Sequence, residues 1–495
     1  MNILNLETLT DDQAAALVSD VAPGLKHLVA GGLMEGDIPQ RVVPPWDLNR
    51  GVTFNAAGIT SFTHAISAAR AAFEGRCRNP LSARGVLRLM ACKVRENQEE
   101  LALLIAFETG KLIPAARMES AATAASLDYW ANAQIPDPEE TMAKGSTTRL
   151  TRRPVGVVAA ITPFNMPVLM MANKIGAALI TGNTIVCKPS PIAPLSPLYF
   201  AGLIAESVPE GWVNILAGED TAGILLSTSP DVALVSFTGS IDVGKAIMRS
   251  AAGTLKRLHL ELGGNDAAIV GPDADLDTAI PQIFRGAFGS SGQACVAVKR
   301  VYAHSSQADE VTQRLSQLAR QVRVGSPFDT ESTAPVLATA AQYERVEELL
   351  EDARSQGAHI AFEGERTKAS GYFMNPSIVS QISNGTRLVD HEQFGPILPV
   401  VAYENTDQLI RLANDGPYGL GATVWSDEEE FLETMTHQLN TGMLWLNGLG
   451  RPDPSIPFGG VKESGIGREG GLAGIDAFCE LAAITRYPSM QVKDK

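Results

Sequence analysis

Short apolar segments alternate with helical segments between residues 155 and 260 of this 495-residue chain. The predicted strands are Val155–Ile161, Thr184–Cys187, Val213–Leu216 and Val232–Phe237, with helices predicted from about Val168, Ser196 and Ser240. This alternation predicts right-handed βαβ units and a parallel sheet that helices cover on both faces. Ligands of such sheets bind beyond the carboxyl ends of the strands, so a site is expected there.

A second α/β block is predicted from about residue 267 to 446. Its predicted elements are the strands Lys299–Ala303, Gly421–Trp425 and Gly442–Leu446 and the helices Asp309–Arg323 and Gln342–Gln356. Helical spacing also extends from Ser61 to about Trp130, whereas the first 60 or so residues show no pattern that can be assigned. A chain of this length exceeds one ordinary hydrophobic core, so two or three domains are expected.

Composition narrows the classes of function. The formal net charge of -15 argues against binding to nucleic acid or to an anionic membrane. The five cysteines lie far apart without a CxxC pair, which fits neither a disulfide framework nor a zinc site and predicts no metal. The N-terminus lacks a signal-peptide pattern, and the uncharged run Pro154–Asn173 contains prolines unsuited to a lipid-exposed helix. A cytoplasmic protein is therefore expected.

The stretch Phe288–Cys295, with the sequence FGSSGQAC, places a thiol after a run of small residues. Gly289 and Gly292 are predicted to take backbone conformations closed to other residues, so that the main chain approaches a ligand closely. Backbone N–H groups there would point at whatever the sulfur attacks. The alternative is a buried structural cysteine, because free cysteines commonly fill cores and reactivity depends on the surroundings.

Polar residues follow several predicted strands. Glu261 would have a raised pKa in a narrow apolar cleft and could activate water, although a solvated loop glutamate is the alternative. The Asn165 amide could donate to an oxyanion, or the residue could simply suit a proline-flanked turn. Lys188 could bind a phosphate or ribose hydroxyl, or be a plain strand-end charge. The turn 237–244 offers free N–H groups to an anion such as pyrophosphate, but it matches neither a P-loop nor the usual dinucleotide motif.

The order and spacing of these residues resemble the NAD(P)-dependent aldehyde dehydrogenase superfamily from about residue 60 to 486. The stretches that carry the resemblance are Pro163–Pro167 (PFNMP), Lys188–Ser190 (KPS), Phe237–Ser240 (FTGS), Glu261–Gly264 (ELGG), Gly292–Cys295 (GQAC), Glu392–Pro396 (EQFGP) and Pro457–Gly460 (PFGG).

The resemblance implies a catalytic role for three residues. Cys295 would attack the aldehyde to give a thiohemiacetal, and Asn165 with the Cys295 backbone N–H would hold the oxyanion. After hydride transfer to the nicotinamide, Glu261 would activate the water that hydrolyses the thioester. The product would be a carboxylic acid.

The resemblance also implies a site for NAD or NADP. Its residues would be Thr162, Pro163, Phe164, Lys188, Ser190, Pro191, Gly218, Phe237, Gly239, Ser240, Leu262, Glu392 and Phe394. Lys188 and Glu392 look like the ligands of the two riboses, and Ser240 would meet the pyrophosphate. NAD-preferring relatives commonly carry a ribose-binding glutamate where this chain has Pro191. The change removes a ligand for NAD and a repulsion against a 2′-phosphate, so the cofactor preference stays open.

The expected substrate site departs from the pattern of many relatives. Met166 stands where an aromatic residue is common, and Asn173 where several relatives have Trp, so the tunnel would be roomier or more polar. Met170 and Phe458 are further candidates for its lining. Arg451 is placed to pair with the carboxylate of a semialdehyde, or is a surface arginine. Aliphatic, aromatic and semialdehyde substrates all remain possible at this point.

The implied fold is α/β, with a parallel-sheet Rossmann-type cofactor domain, an α/β catalytic domain and a small β oligomerisation arm. The cofactor domain is expected at residues 1–130 and 154–260, and the catalytic domain at 261–446. A substrate-site loop at 447–477 would return the chain to the cofactor domain. Residues 131–153 and 478–495, where apolar and polar residues alternate as in an edge strand, would form the arm of a homodimer or homotetramer.

Three alternatives remain beside this expectation. In a CoA-acylating aldehyde or semialdehyde dehydrogenase, a thiol would resolve the thioester, but such enzymes tend to lack the glutamate found here at 261. A cofactor-free cysteine hydrolase would need a Cys–His pair, and none of the seven histidines lies in the motifs. A non-catalytic protein on this fold would have no need of Cys295, Glu261 and Asn165 together.

Overall fold

A computed structural model describes residues 6–75, 80–136, 139–143, 145–450 and 453–487. Within these residues the α-helices, in chain order, are α1 Asp11–Val21, α2 Ile59–Gly75, α3 Pro80–Glu96, α4 Gln98–Thr109, α5 Ile113–Asn132, α6 Pro167–Ile180, α7 Leu195–Ile204, α8 Asp220–Thr228, α9 Ile241–Ala251, α10 Leu276–Phe288, α11 Ala308–Ala319, α12 Ala340–Ser355, α13 Arg387–Asp390, α14 Thr406–Asn414, α15 Glu429–Gln438 and α16 Gly471–Ala477.

The strands of the same residues form two large sheets, one small sheet and two hairpin-like pairs. In chain order they are β1 His27–Val29, β2 Gly32–Met34, β3 Ile38–Val42, β4 Val52–Ala56, β5 Glu139–Ala143, β6 Ser146–Pro154, β7 Val157–Ile161, β8 Thr184–Lys188, β9 Val213–Ile215, β10 Leu234–Thr238, β11 Arg257–Glu261, β12 Asp266–Val270, β13 Val298–His304, β14 His359–Phe362, β15 Arg366–Thr367, β16 Phe373–Met374, β17 Ser377–Ser380, β18 Ile397–Tyr403, β19 Gly421–Trp425, β20 Met443–Leu446, β21 Gly465–Ile466 and β22 Cys479–Arg486.

The first sheet has the strand order β2-β1-β9-β8-β7-β10-β11-β21. Its five central strands run parallel, while β1 and β21 pair antiparallel to their neighbours. Successive side chains of a strand point to opposite faces, and here both faces are buried. Val158 and Ala160 pack into the cluster beneath α3–α7, whereas Val157 and Ala159 pack into the cluster on the other face. This confirms the predicted parallel sheet covered on both sides.

The second sheet has the order β14-β17-β18-β13-β12-β19-β20, in which only the edge strand β14 is antiparallel. The strand β12 again contributes to a core on each face, with Ile269 on one side and Val270 on the other. The predicted helix Asp309–Arg323 ends earlier, at Ala319. The Arg323 backbone N–H instead donates to the Thr333 hydroxyl at 2.8 Å, so the chain has already turned away from the helix axis.

The two segments left outside both blocks do pair with each other. The strand β22 runs antiparallel to β6 over its whole length, and β5 pairs with the other edge of β6. In the first 60 residues, for which no pattern could be assigned, the structure has α1 and the strands β1–β4. The uncharged run Pro154–Asn173 forms β7, a turn and the start of α6. Across the part of the chain that the structure describes, no helix has the length and apolar character needed to span a membrane.

Candidate active site

The site lies where the carboxyl ends of four parallel strands meet. Ile161 is paired in register with Lys188 on one side and with Phe237 on the other, and Thr238 is paired with Glu261. A parallel sheet brings such strand ends to one edge. Lys188 and Glu261, which are 73 positions apart, therefore lie at the same edge of the sheet, one residue apart in register.

A short turn connects this edge to the second sheet. Glu261 ends β11, and Asp266 begins β12 after only four intervening residues. Asp266 is in register with Val298, the first residue of β13, so the loop that precedes β13 lies beside the end of β11. That loop carries Cys295. This connection explains how Glu261 and Cys295 come to the same place.

The cysteine loop depends on glycine at one position in particular. Gly292 has φ +74°, and a Cβ atom there would lie 2.3 Å from the Gly395 carbonyl oxygen. Both the backbone conformation and the close approach exclude a side chain. Gly289 differs from the expectation, because its φ of -57° is ordinary, although a Cβ there would crowd the Arg285 carbonyl at 2.7 Å.

Side-chain amides hold the loop in place on both sides. The Gln293 amide donates to the Val336 carbonyl at 3.1 Å and accepts the Ala338 N–H at 2.8 Å. From the first sheet, the Asn165 amide donates to the Gln293 carbonyl at 3.0 Å. Asn165 therefore contacts the cysteine loop at a residue that lies two positions before Cys295.

A buried ion pair positions Asn165 in turn. Lys111 pairs with Glu119, and its ammonium group donates to the Asn165 carbonyl at 2.8 Å. The Glu119 carboxylate accepts the N–H of Val168 at 3.2 Å, near the start of α6. A carboxylate at a helix N-terminus satisfies otherwise unpaired donors and the helix dipole. The Lys111–Glu119 pair therefore fixes the turn that carries Asn165 and the start of the helix that follows it.

The carboxyl group of Glu261 faces the thiol. Burial first, and then the charge of Glu469, raise its pKa to about 8, although the charge of Lys174 and a hydrogen bond from the Cys295 thiol act in the opposite direction. Its Oε1 atom is buried without a protein partner among the described residues. A carboxyl group with a pKa near neutrality and a free oxygen is suited to accept a proton from water.

The thiol itself is only partly accessible. Burial raises the pKa of Cys295 well above its usual value, and the charge of Glu261 raises it further. Lys299 acts in the opposite direction, while Asp266 and Glu392 add negative charge. Four ionisable side chains from both sheets and from the segment after α13 therefore control the charge of one sulfur atom.

A second buried network lies behind Glu261. Lys174 pairs with Glu469 and also donates to the Ser236 hydroxyl at 3.0 Å, which in turn contacts His259 Nδ1 at 3.0 Å. Burial would raise the pKa of Glu469, but the charges of Lys174 and His259 hold it below its ordinary value. Asn173 donates to the other Glu469 oxygen at 3.1 Å. This network fixes a carboxylate close to Glu261.

The expected cofactor residues surround the edge of the first sheet. Lys188 is buried, and its ammonium group has only a 3.5 Å contact with the Pro189 carbonyl. Thr162 follows β7, and Thr238 is the last residue of the neighbouring strand β10. The hydroxyls of both residues are buried without a protein partner among the described residues. These groups fit a ligand rich in hydroxyl and phosphate oxygens, because unpaired buried donors are costly.

The turn at 237–244, which is expected to bind a phosphate group, connects β10 to α9. Ser240 caps α9 and accepts the Val243 N–H at 3.4 Å. A Cβ on Gly239 would lie 2.5 Å from the Phe237 ring, which makes glycine necessary. Such a helix N-terminus suits an anion.

The remaining expected cofactor residues lie around this turn. Leu262 packs against α9 and donates its N–H to the Ser464 carbonyl, and Gly218 follows β9 against Phe62. Ser190 accepts the N–H of Ile192, and Pro191 is exposed beside it. Pro163 lies in the turn after β7, one residue before Phe164.

Glu392 and Phe394 reach the site from the segment that follows α13. The Glu392 carboxylate accepts the Gly264 N–H at 3.3 Å and pairs with Lys299 at 3.3 Å. The Phe394 ring packs edge-on against Phe164, with centroids 6.1 Å apart. The segments that carry Phe164 and Phe394, which are far apart along the chain, therefore meet here.

The expected substrate residues have different surroundings. Met166 and Met170 are half-buried at the start of α6, and the Met166 sulfur is 3.5 Å from the Lys111 ammonium. Asn173 is fully engaged, because besides Glu469 it accepts the Trp130 indole N–H at 2.7 Å. Phe458 exchanges backbone hydrogen bonds with Glu469 at 2.7 Å. Arg451 lies outside the described residues.

Sequence analysis missed several charged residues of this site, namely Lys111, Glu119, Lys174, Lys299 and Glu469. Lys174 is the one charged residue of α6, and a lone charge in an otherwise apolar helix indicates a buried, paired lysine, because buried lysines are rare unless they are paired. Lys299 stands beside Arg300 in β13 and gives no such signal.

The chain matches known proteins over nearly its whole length. Residues 35–484 match the model of the aldehyde dehydrogenase family. The betaine aldehyde dehydrogenase of Bacillus subtilis is 35% identical over 457 residues, covering 90% of this chain and 93% of the relative. A probable succinate-semialdehyde dehydrogenase [NADP(+)] of Sinorhizobium fredii is 35% identical over 394 residues, covering 78% and 80%.

Solved structures agree with the sequence matches. The NAD+ complex of an aldehyde dehydrogenase from Bacillus cereus superposes with a TM-score of 0.91 at 32% identity, covering 95% of this chain and 98% of the other. Betaine aldehyde dehydrogenase from Staphylococcus aureus in complex with NAD+ gives 0.92 at 29% identity, covering 99% and 100%. The α/β fold predicted from the sequence is confirmed. This chain belongs to the aldehyde dehydrogenase family.

Proposed function

We propose that the protein oxidises an aldehyde to the carboxylic acid with NAD+ or NADP+, through a covalent intermediate on Cys295. The observation that carries this proposal is the position of one thiol between two groups. The Glu261 carboxyl faces it from the first sheet, and the Asn165 amide reaches the adjoining Gln293 carbonyl. Nucleophile, base and oxyanion donor are the parts that acyl-transfer chemistry on a thiol requires.

The first step forms a bond between sulfur and carbon. Ionised Cys295 attacks the aldehyde carbon, and the carbonyl electrons move to oxygen, giving a thiohemiacetal anion. The Asn165 amide and the Cys295 backbone N–H stabilise this oxygen. For that, the Asn165 amide must turn from the Gln293 carbonyl, 3.0 Å away, toward the substrate.

A nicotinamide dinucleotide supplies the hydride acceptor. Lys188, Glu392 and the first turn of α9 would hold it, with the unpartnered hydroxyls of Thr162 and Thr238 facing the same edge. When hydride leaves the thiohemiacetal carbon, the oxygen electrons re-form the carbonyl. The acyl group then remains on Cys295 as a thioester.

The last step returns the free enzyme. Glu261 takes a proton from water, the hydroxide oxygen attacks the thioester carbon, and the C–S bond breaks to release the acid. The raised pKa of Glu261, caused first by burial, makes it a stronger base once it is ionised. The charge of Glu469 also raises that pKa, whereas its partner Lys174 lowers it.

We propose an uncharged aldehyde as the preferred substrate. Met166, Met170 and Phe458 contribute apolar surface, and the polar atoms of Asn173 are occupied by Glu469 and Trp130. The two relatives named above act by name on charged aldehydes, a betaine aldehyde and a succinate semialdehyde, so a preference for an uncharged aldehyde would distinguish this chain from both. If Arg451 binds a substrate carboxylate instead, Arg451→Ala will raise the KM for succinic semialdehyde.

We also propose the domain division given above and assembly as a homodimer or homotetramer through the sheet β22-β6-β5. The exposed side chains of this sheet include Met142, Leu481 and Ile484, of which Leu481 is 62% exposed. Exposed apolar residues gathered on one sheet suit an interface between copies. The free Cys295 thiol suits a reducing compartment such as the cytoplasm.

The direct test is the initial rate of reduced-nicotinamide formation with NAD+ and NADP+ separately, over aliphatic, aromatic and semialdehyde substrates. The proposal expects a rate that does not need CoA, with the free acid as product. A rate only in the presence of CoA, with an acyl-CoA product, would favour the acylating alternative. No rate with any pair would reject the proposal.

A further inference from the structure

Lys299 lies at the centre of the site although no motif includes it. Its side chain is 2% exposed, and its ammonium group donates to the Ala294 carbonyl at 2.8 Å and to the Cys295 carbonyl at 2.7 Å. These carbonyls immediately precede and follow the Cys295 Cα atom along the chain. The lysine therefore holds the backbone of the nucleophile directly.

The same ammonium group reaches a different segment of the chain. It is 3.3 Å from Glu392 Oε1 and 5.9 Å from the centre of the Phe394 ring. The opposite Glu392 oxygen packs against the Gly263 backbone, where a Cβ would be only 2.1 Å away. Lys299 thus connects the cysteine loop to the segment that carries Glu392 and Phe394, two of the expected cofactor residues.

Burying a lysine is unfavourable unless its charge is paired and its donors are used. The carbonyls of Ala294 and Cys295, a longer contact of 3.4 Å with the Ala297 carbonyl, and the Glu392 carboxylate satisfy the Lys299 ammonium group. A lysine that only filled the core would be replaced at less cost by an apolar residue of similar volume. Its retention at this point calls for a role of the charge itself.

The charged groups around the thiol define that role. Glu261 at the end of β11, Asp266 at the start of β12 and Glu392 after α13 all oppose ionisation of Cys295. Lys299, from β13, is the cation that acts against them. Burial raises the pKa of Asp266 to about 7, and burial likewise raises that of Glu392, while Lys299 lowers both.

We propose that Lys299 is a positioning residue for the nucleophile: it fixes the backbone on both sides of Cys295, favours the thiolate, and joins this loop to Glu392. The inference rests on the proposed function for its catalytic meaning. The ionisation of the Cys295 thiol, which the proposal concerns, can be measured without turnover.

The test is the rate of iodoacetamide alkylation of Cys295 across pH, followed by mass spectrometry of its peptide. Exposed Cys92 provides the internal reference. Lys299→Met is expected to slow alkylation of Cys295 at about pH 8 by about tenfold, which corresponds to about one pKa unit. Lys299→Arg keeps the charge and is expected to retain most of the rate.

Lys256→Met is the control, because Lys256 is half-buried and, like Lys299, donates to a backbone carbonyl, that of Ser229, away from the site. It should alkylate like the unaltered protein. Equal alkylation of Cys295 in Lys299→Met and in the unaltered protein would overturn the proposal. Absence of dehydrogenase activity in the unaltered protein would instead reject the proposed function, so the two failures are distinct.

A second pair of variants covers the case in which Lys299→Met does not fold. Lys299→Met combined with Glu392→Gln removes both charges and leaves no unpaired buried carboxylate. Compared with Glu392→Gln alone, it differs only at Lys299, and it should alkylate more slowly by a similar factor. Equal rates for these two variants would also overturn the proposal.

Discussion

Glu261 and Cys295 come from different sheets, yet the carboxyl group of one faces the thiol of the other. Burial raises the pKa of both groups, and the negative charge of Glu261 raises that of Cys295 further. Burial therefore favours the protonated form of both groups, and an ionised Glu261 disfavours the thiolate.

The first prediction concerns the nucleophile. Cys295→Ser should lower kcat by at least about a thousandfold, because a serine hydroxyl ionises far less readily than a thiol and is a much weaker nucleophile. Thermal unfolding should change little, since the substitution is nearly isosteric. Steady-state kinetics with the best aldehyde measures this, and Cys92→Ser, at an exposed position, is the control. Substantial activity in Cys295→Ser would contradict the covalent mechanism.

The second prediction concerns pH. Because burial raises the pKa of Glu261 to about 8, the carboxylate needed as base appears only as the pH rises through that value. Hydrolysis of the thioester should therefore increase with pH over about 7 to 9. Glu469→Gln removes a neighbouring negative charge and should shift the rise to lower pH. Exposed Glu463→Gln is the control, and an unshifted profile in Glu469→Gln would contradict the coupling.

The same shift has a consequence for stability. A carboxyl group whose pKa is raised on folding favours the folded state below its unfolded pKa, and that stability is lost as pH rises toward the folded value. Glu261→Gln should therefore be more stable than the unaltered protein at about pH 9 and similar at about pH 5. Chemical denaturation at both values measures the difference. Equal stability at high pH would show that Glu261 is ionised there at no cost.

The third prediction concerns the oxyanion donor. Asn165→Ala should lower kcat by about a hundredfold or more, the usual effect of removing one donor from a developing oxyanion. Alkylation of Cys295 should stay near normal, because Asn165 contacts the loop through a backbone carbonyl rather than the sulfur. Asn49→Ala, at an exposed turn, is the control. A change in alkylation equal to the change in kcat would assign Asn165 to loop structure instead.

The fourth prediction concerns cofactor choice. Pro191→Glu places a carboxylate near the expected ribose and should lower the kcat/KM with NADP+ relative to NAD+, because it repels a 2′-phosphate. Pro191→Ala removes the ring without adding charge and is the matched control. Binding of NADPH and NADH, followed by fluorescence, gives the same comparison without turnover. An unchanged ratio in Pro191→Glu would place the ribose elsewhere.

The sequence predicted the strands that are bounded by polar or glycine residues and buried on both faces. The strand Gly421–Trp425 has the predicted limits, and Thr184–Lys188 exceeds its prediction by a single residue. The first 60 residues could not be assigned because β1 is only three residues long and depends on β9, almost 190 positions away. Such a strand has little local pattern of its own.

The candidate site shows the same division between local and distant information. Cys295, Glu261 and Asn165 occur in recognisable motifs, so the sequence identified them. Lys299 and Lys174 did not stand out, because their burial and their partners depend on tertiary packing. A lysine in a strand or helix looks solvent-exposed in sequence until the carboxylate that pairs with it is known.

Glu261→Gln tests the central claim most directly. With an aldehyde and NAD+ or NADP+, this variant should release about one equivalent of reduced nicotinamide per site and then stop. Mass spectrometry of the intact protein and of the peptide with Cys295 should then show the added acyl group. Continued turnover with no adduct on Cys295 would contradict the account that Cys295 carries the acyl group and Glu261 activates the water that removes it.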